Sequence, residues 1–129
     1  MAKQELGPNQ LKWIEALESG EHRQGTNYLC RRDGSKCCLG VACHLFDVPR
    51  TGTNDQGAAI FETNEHCSTA PPSVVRTLAL NEGLGFFIGG AKWGEEIQSL
   101  TGANDHGKSF AEIAAFCREH PEAVFTEPR

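Results

Sequence analysis

The chain has 129 residues, 39% of them hydrophobic and 22% charged, with a formal charge of −5 and six cysteines. That size and balance fit one soluble domain around one core, which excludes a disordered tail and a multidomain enzyme. The acidic total excludes a general nucleic-acid coat, which needs surplus Lys and Arg to displace counterions.

Residues 1–20 carry acids throughout and lack a continuous apolar stretch, so no secretory signal is expected there. No apolar run approaches the roughly 18 residues that cross a bilayer, so no membrane association is expected either. A reducing cytoplasm is the expected compartment. There Cys30, Cys37, Cys38, Cys43, Cys67 and Cys117 are thiols or metal ligands rather than disulfides.

The first predicted element is a helix over about 8–19. Pro8 suits its first turn, Leu11, Ile14 and Leu17 recur at helical spacing beside Trp13, and Ser19-Gly20 closes it. A hairpin follows: Asn27 to Arg31 as one strand, Arg32-Asp33-Gly34-Ser35 as the turn, and Lys36 to Cys38 as a short return. Cys38 to Phe46 is apolar without alternation. It reads as a buried helix with Cys38, Ala42 and Leu45 inward, ended before Pro49.

Residues 50–58 read as loop by composition, and Ala59 to Glu62 as a short strand. Residues 68–72 form another loop, and Pro71-Pro72 leads into a helix from Ser73 to Leu80 that Asn81-Glu82-Gly83 closes. Residues 83–90 are either a strand or a close-packed backbone crossing. Residues 91–100 read as an irregular helix weakened by Gly94. Ser109-Phe110-Ala111-Glu112 fits a capping box, opening a helix whose face is Phe110, Ile113, Ala114 and Cys117, with Pro121 beyond its end. Residues 52–57 echo 102–107, and the pair reads as two similar Asx-type turns rather than a duplication.

Cys30, Cys37, Cys38, Cys43 and His44 lie close together, but their spacing lacks the C-x2-C knuckle that organises zinc. Apolar packing is the leading reading of these thiols, and no metal ligand or cofactor is assigned. Two alternatives stay open. One is a zinc-stabilised interaction module. The other is a small Cys/His-dependent hydrolase or transferase, with Cys30 or Cys37 beside Arg31, Arg32 and Lys36 and a base from His22, His44, His66 or His106. No catalytic residue is assigned, because no nucleophile signature, Walker loop or complete dinucleotide fingerprint is present.

The charge is uneven. Residues 22–46 hold Arg23, Arg31, Arg32 and Lys36 against Asp33, a local +3, while the rest of the chain is −8. Arginine forks match phosphate and carboxylate, and Tyr28 or Trp93 can stack on a flat ring. The alternative is an exposed hairpin edge guarded by charge.

Lys12 to Leu17, Gln24-Gly25, Cys37-Cys38-Leu39-Gly40-Val41-Ala42-Cys43, Asn104-Asp105 and Ser109 to Ala114 together resemble a family of small, mostly uncharacterised bacteriophage and prophage proteins. Its most specific mark is the Cys-Cys-Leu-Gly-Val-x-Cys segment. The resemblance implies an accessory protein acting in a host cytoplasm, and brings no activity with it.

The combined expectation is a single α+β domain, four or five short helices around a small antiparallel hairpin or sheet. Its expected role is non-enzymatic: countering host defence by sequestering a small anionic, nucleotide-like ligand or by blocking a host protein. The candidate site comprises Arg31, Arg32 and Lys36 for charge, Tyr28 and Trp93 for stacking, and Gln24, Asn104 and Asp105 for hydrogen bonds. A domain this small has little room for a deep private pocket, so a site shared within a homo-oligomer is part of the expectation.

Overall fold

In the computed structural model, which describes residues 4–62, 68–94 and 96–129, helix α1 spans Pro8–Glu18. Its Gln10, Trp13, Ile14 and Leu17 share one buried face, as their three- and four-residue spacing requires. Its first turn is capped from far away. The Arg129 carbonyl accepts from the Asn9 and Gln10 backbone N–H groups, both at 3.0 Å. The buried Gln10 side chain accepts from the Gly7 N–H at 2.8 Å and donates to the Leu78 and Glu127 carbonyls at 2.9 and 2.7 Å. The chain's last residues are thereby tied to its first helix.

Helix α2 spans Cys38–Leu45 and is buried from Cys38 through Cys43. Cys38 and Ala42 lie in the core, and Leu45 packs half-buried against it. The apolar run from Cys38 to Cys43 presents no solvent face, and the exposed His44 lies in the last turn. Gly40 is its essential contact. A Cβ there would lie 1.6 Å from the Leu29 carbonyl oxygen, so the backbones of α2 and the preceding loop touch directly. Trp13 Nε1 donates to the Cys38 carbonyl at 2.9 Å, joining α1 to α2.

Two strands follow, β1 (Arg50–Thr53) and β2 (Ala59–Phe61), paired antiparallel with an irregularity between Arg50 and Gly52. Residues 50–58 are therefore not all loop. The Asx turn is confined to 54–58, where Asn54 Oδ1 accepts from the Gln56 and Ala58 N–H groups at 2.9 Å each. The hairpin expected over 27–38 is absent as a strand pair. Lys36 is shared between an antiparallel bridge to Cys30 and a parallel one to Gln24, which stops either ladder from extending.

Helix α3 spans Pro72–Leu78 and ends at Ala79, which takes a left-handed backbone (φ 57°). Residues 83–90 prove to be a crossing rather than a strand. Gly85 lies against the Leu100 side chain, Phe86 bridges Ser99, and Ile88–Gly90 makes one 3₁₀ turn.

In place of the helix expected over 91–100, Trp93 bridges Ile97 and Gly94 has φ 75°. Helix α4 begins after it, at Leu100–Asp105, with the Ser99 hydroxyl accepting from the Gly102 N–H at 2.9 Å. Residues 102–105 are thus helical, which corrects the reading of 102–107 as a second Asx turn.

Helix α5 (Phe110–Glu119) has the expected capping box: Glu112 N–H to Ser109 Oγ at 3.1 Å, and Ser109 N–H to Glu112 Oε1 at 3.0 Å. Its Phe110, Ile113, Ala114 and Cys117 are buried. Helix α6 spans Pro121–Val124 and leads to the buried Phe125, which meets Trp13 edge to face at 6.2 Å. Arg118 and Glu18 clasp α5 to α1 through two 2.7 Å hydrogen bonds.

The fold is α+β: helices around one core and a two-stranded antiparallel hairpin. No helix among the described residues is long and apolar enough to cross a membrane.

Candidate functional site

The local excess of positive charge sits on the loop between α1 and α2, and polar side chains shape that loop. The Arg31 carbonyl accepts from the Gly34 N–H at 2.9 Å, closing a turn in which Gly34 has φ 88°. Asp33 Oδ1 accepts from Ser35 N–H and Oγ–H at 2.9 and 2.6 Å. Those bonds, ahead of the nearby Arg23 charge, hold the Asp33 carboxyl below its ordinary value. Arg23 also donates to the Asp33 carbonyl and lies 3.6 Å from its carboxylate.

An amide network fastens this loop to the helices. Asn104 Oδ1 accepts from Gln24 Nε2 at 2.9 Å and from the Cys38 N–H at 3.2 Å. Asn104 Nδ2 donates to the Gly25 carbonyl at 2.8 Å. Gln24 Nε2 also donates to the Lys108 carbonyl at 2.7 Å, and its Oε1 accepts from the Phe110 N–H at 3.0 Å. Both amides therefore satisfy first-turn N–H groups of α2 and α5, donors a helix cannot satisfy itself. Asn104 is 1% exposed. Gln24 and Asn104, both expected as ligand contacts, are hydrogen-bonded within the fold and position the loop. Asp105 is exposed, and its Oδ1 accepts from the Asn27 N–H at 3.0 Å, where Asn27 has φ 71°.

Three of the predicted residues meet. Tyr28, Arg31 and Arg32 line a cleft of about 230 Å³ together with Asp33, Gln56 and Ala58. Gln56 and Ala58 come from the β1–β2 turn, which is held beside the loop by the Ala59 N–H donating to the Cys30 carbonyl at 2.9 Å. The Arg32 side chain packs over Gly57. Arg31 donates to the Thr26 carbonyl at 3.1 Å. Among the described residues the Arg32 guanidinium has no hydrogen-bond or ion-pair partner.

Lys36 and Trp93 lie elsewhere. Lys36 lines a second cleft with Cys30, Cys43, His44, Arg50 and others. Trp93 stacks on Phe116 at 4.5 Å, carries the Lys108 ammonium over its ring at 4.9 Å, and lines a third cleft with Glu96, Ile97 and His106. Sequence reasoning missed Gln56 and Ala58. Only the Asn54-Asp55-Gln56-Gly57 turn hinted at them, and nothing local says what that turn faces.

The thiols divide by burial. Cys37, Cys38, Cys43 and Cys117 are buried, and Cys30 is half-buried. Desolvation pushes the Cys37 thiol up to about 11 and raises those of Cys38, Cys43 and Cys117 as well. A thiol held protonated is a poor nucleophile and a poor zinc ligand. Among the described residues no three His, Cys, Asp or Glu side chains are grouped as a metal ion requires. His66 and Cys67 lie outside the described residues.

Residues 8–120 match the family model described as Domain of unknown function (DUF8296). The chain belongs to this family. The match runs from the start of α1 to the end of α5, so it takes in the basic loop, the amide network and the cleft. No curated protein and no solved structure matches the chain.

Proposed function

We propose that this protein is a non-enzymatic binding protein that holds a small anionic, nucleotide-like ligand at the Tyr28–Arg31–Arg32 cleft. The observation that carries the reading is the Arg32 guanidinium, unpartnered among the described residues, in one cleft with Tyr28 and Arg31. A guanidinium fork meets two phosphate oxygens at once, and a phenol ring stacks on a base. Asp33 lines the same cleft, is hydrogen-bonded by Ser35 and lies 3.6 Å from Arg23, and Arg31 and Arg32 outnumber it there. Gln56 lines the same cleft, and its amide would hydrogen-bond a sugar or base edge.

About 230 Å³ receives a phosphate with part of its nucleoside, and a second copy of the chain would cover the remainder. Burial of the Cys37 and Cys38 thiols supports binding over thiol catalysis at those positions. The resemblance around Cys37 to Cys43 supports a phage accessory protein of the host cytoplasm, where removing a nucleotide signal would counter a defence.

Native mass spectrometry of the full chain purified from bacterial lysate tests the reading. The expected spectrum shows retained mass of a phosphate-bearing small molecule, lost in the Arg31→Ala/Arg32→Ala double variant. A ligand-free chain without affinity for any of a panel of nucleoside mono-, di- and cyclic phosphates overturns it.

A further inference from the structure

The second cleft, of about 390 Å³, is lined by Cys30, Lys36, Cys43, His44, Asp47, Val48, Arg50 and Phe61. It lies between the 30–36 turn, the end of α2 and the start of β1. Cys30 is the described thiol with solvent access, and its Sγ makes one long hydrogen bond, 3.7 Å, to the Arg31 carbonyl. Lys36 is its antiparallel partner. The Arg31 N–H donates to the Ser35 carbonyl at 2.7 Å, beside this pair rather than within it. Cys30 and Lys36 therefore form a non-hydrogen-bonded pair, the arrangement in which facing side chains approach most closely. Lys36 and Arg50 outnumber Asp47 as fixed charges of the lining. The His44 ring meets that of His22 edge to face at 5.5 Å. Val48 and Phe61 supply an apolar surface.

We propose that this cleft is a modification site in which Cys30 undergoes thiol–disulfide exchange with anionic low-molecular-mass disulfides such as glutathione disulfide. The Cys30 thiolate attacks one sulfur of the disulfide, and its proton leaves to solvent. The sulfur–sulfur bond of the small molecule breaks as a bond from Cys30 Sγ forms. The other half departs as a thiolate and takes up a proton. Cys30 is oxidised to a mixed disulfide, and the leaving half is the reduced product.

Lys36 and Arg50 hold the carboxylates of the incoming disulfide. Cys43 borders the same cleft, but burial holds its thiol protonated, so the adduct forms on Cys30. This site is separate from the Arg31–Arg32 cleft, and its occupation does not depend on that reading.

The test incubates the full chain at neutral pH with glutathione disulfide and, separately, with the uncharged hydroxyethyl disulfide. Intact mass and peptide mapping follow the products. The expected result is one glutathionyl group on the Cys30 peptide, absent in Cys30→Ser. Lys36→Gln or Arg50→Gln slows the glutathione reaction about threefold or more while leaving the uncharged disulfide unaffected. Arg31→Ala/Arg32→Ala leaves both rates unchanged. Preferential reaction at another cysteine, Cys67 included, overturns the proposal. So does an unreactive Cys30 in the folded chain, or a glutathione rate indifferent to Lys36 and Arg50.

Discussion

Replacing Asn104 by Ala removes the side chain that holds the basic loop to two helices. The Cys38 N–H and the Gly25 carbonyl would each lose their Asn104 partner, while Gln24 would keep its bond to the Lys108 carbonyl. An unsatisfied buried polar group costs about 1–3 kcal/mol, so the loss for two is roughly 3 kcal/mol after partial relaxation. That is a large share of a domain stability of about 5–15 kcal/mol.

Asn104→Asp keeps the shape and separates hydrogen bonding from packing. Its second oxygen would face the Gly25 carbonyl, acceptor against acceptor, in a buried place. The folded state then binds a proton more tightly than the unfolded chain, whose Asp titrates near about 3.9. Stability of the variant, relative to the parent, must fall as pH rises through that range and recover on acidification. Urea unfolding followed by the fluorescence of the buried Trp13 measures both effects. A cost below about 1 kcal/mol for Asn104→Ala, or an Asp variant with the pH profile of the parent, would refute the reasoning.

Gly40→Ala is expected to destabilise by about 2 kcal/mol or more, despite the better helix propensity of Ala, because the new Cβ meets the Leu29 carbonyl. Urea midpoints decide this, and an unchanged or raised midpoint contradicts the direct backbone contact. Gln10→Leu should release the C-terminal residues from α1, seen as faster amide exchange at Thr126, whose N–H donates to the Ala79 carbonyl at 2.8 Å. Exchange at the parent rate would mean that Gln10 does not hold the tail.

The His22 imidazole is held below its ordinary value by desolvation first, and then by the charges of His44 and Lys36. The unfolded chain therefore takes up this proton more readily. The parent should lose stability as pH falls through about 6.5, and His22→Gln should lose less. Identical pH profiles for the two proteins would contradict that assignment.

The parts of the fold that were legible carry local signals. Pro8 and the Trp13–Ile14–Leu17 face mark α1, and Ser109 with Glu112 marks the start of α5, because caps and periodicity act within a few residues. The unbroken apolar run from Cys38 marks α2 as buried. Strand β1 was not legible: all four of its residues are exposed, so no alternation of apolar and polar side chains announces it. Helix α4 was hidden by Gly102, Asn104 and Asp105, turn formers that the Ser99 cap and the burial of Leu100 and Ala103 override.

At the site, Tyr28, Arg31 and Arg32 were legible because chemistry and charge are written in residue types. Gln24 and Asn104 were legible as polar residues of interest, but their structural role was not. Their partnership spans 80 positions, and only the folded chain shows that both amides face inward. The separation of Lys36 from the arginines has a similar origin: its backbone is held from two sides, and its side chain faces Cys30.

The central claim is that a small anion binds between the α1–α2 loop and the β1–β2 turn. The most direct measurement is a two-dimensional amide NMR titration of the full chain with adenosine 5′-monophosphate, cyclic dinucleotides and inorganic phosphate in turn. The account predicts saturable shifts for at least one nucleotide, concentrated at residues 28–33 and 56–58 and abolished by Arg31→Ala/Arg32→Ala. Shifts centred on Trp93 and Lys108, or no saturable shift with any of the probes, would contradict it.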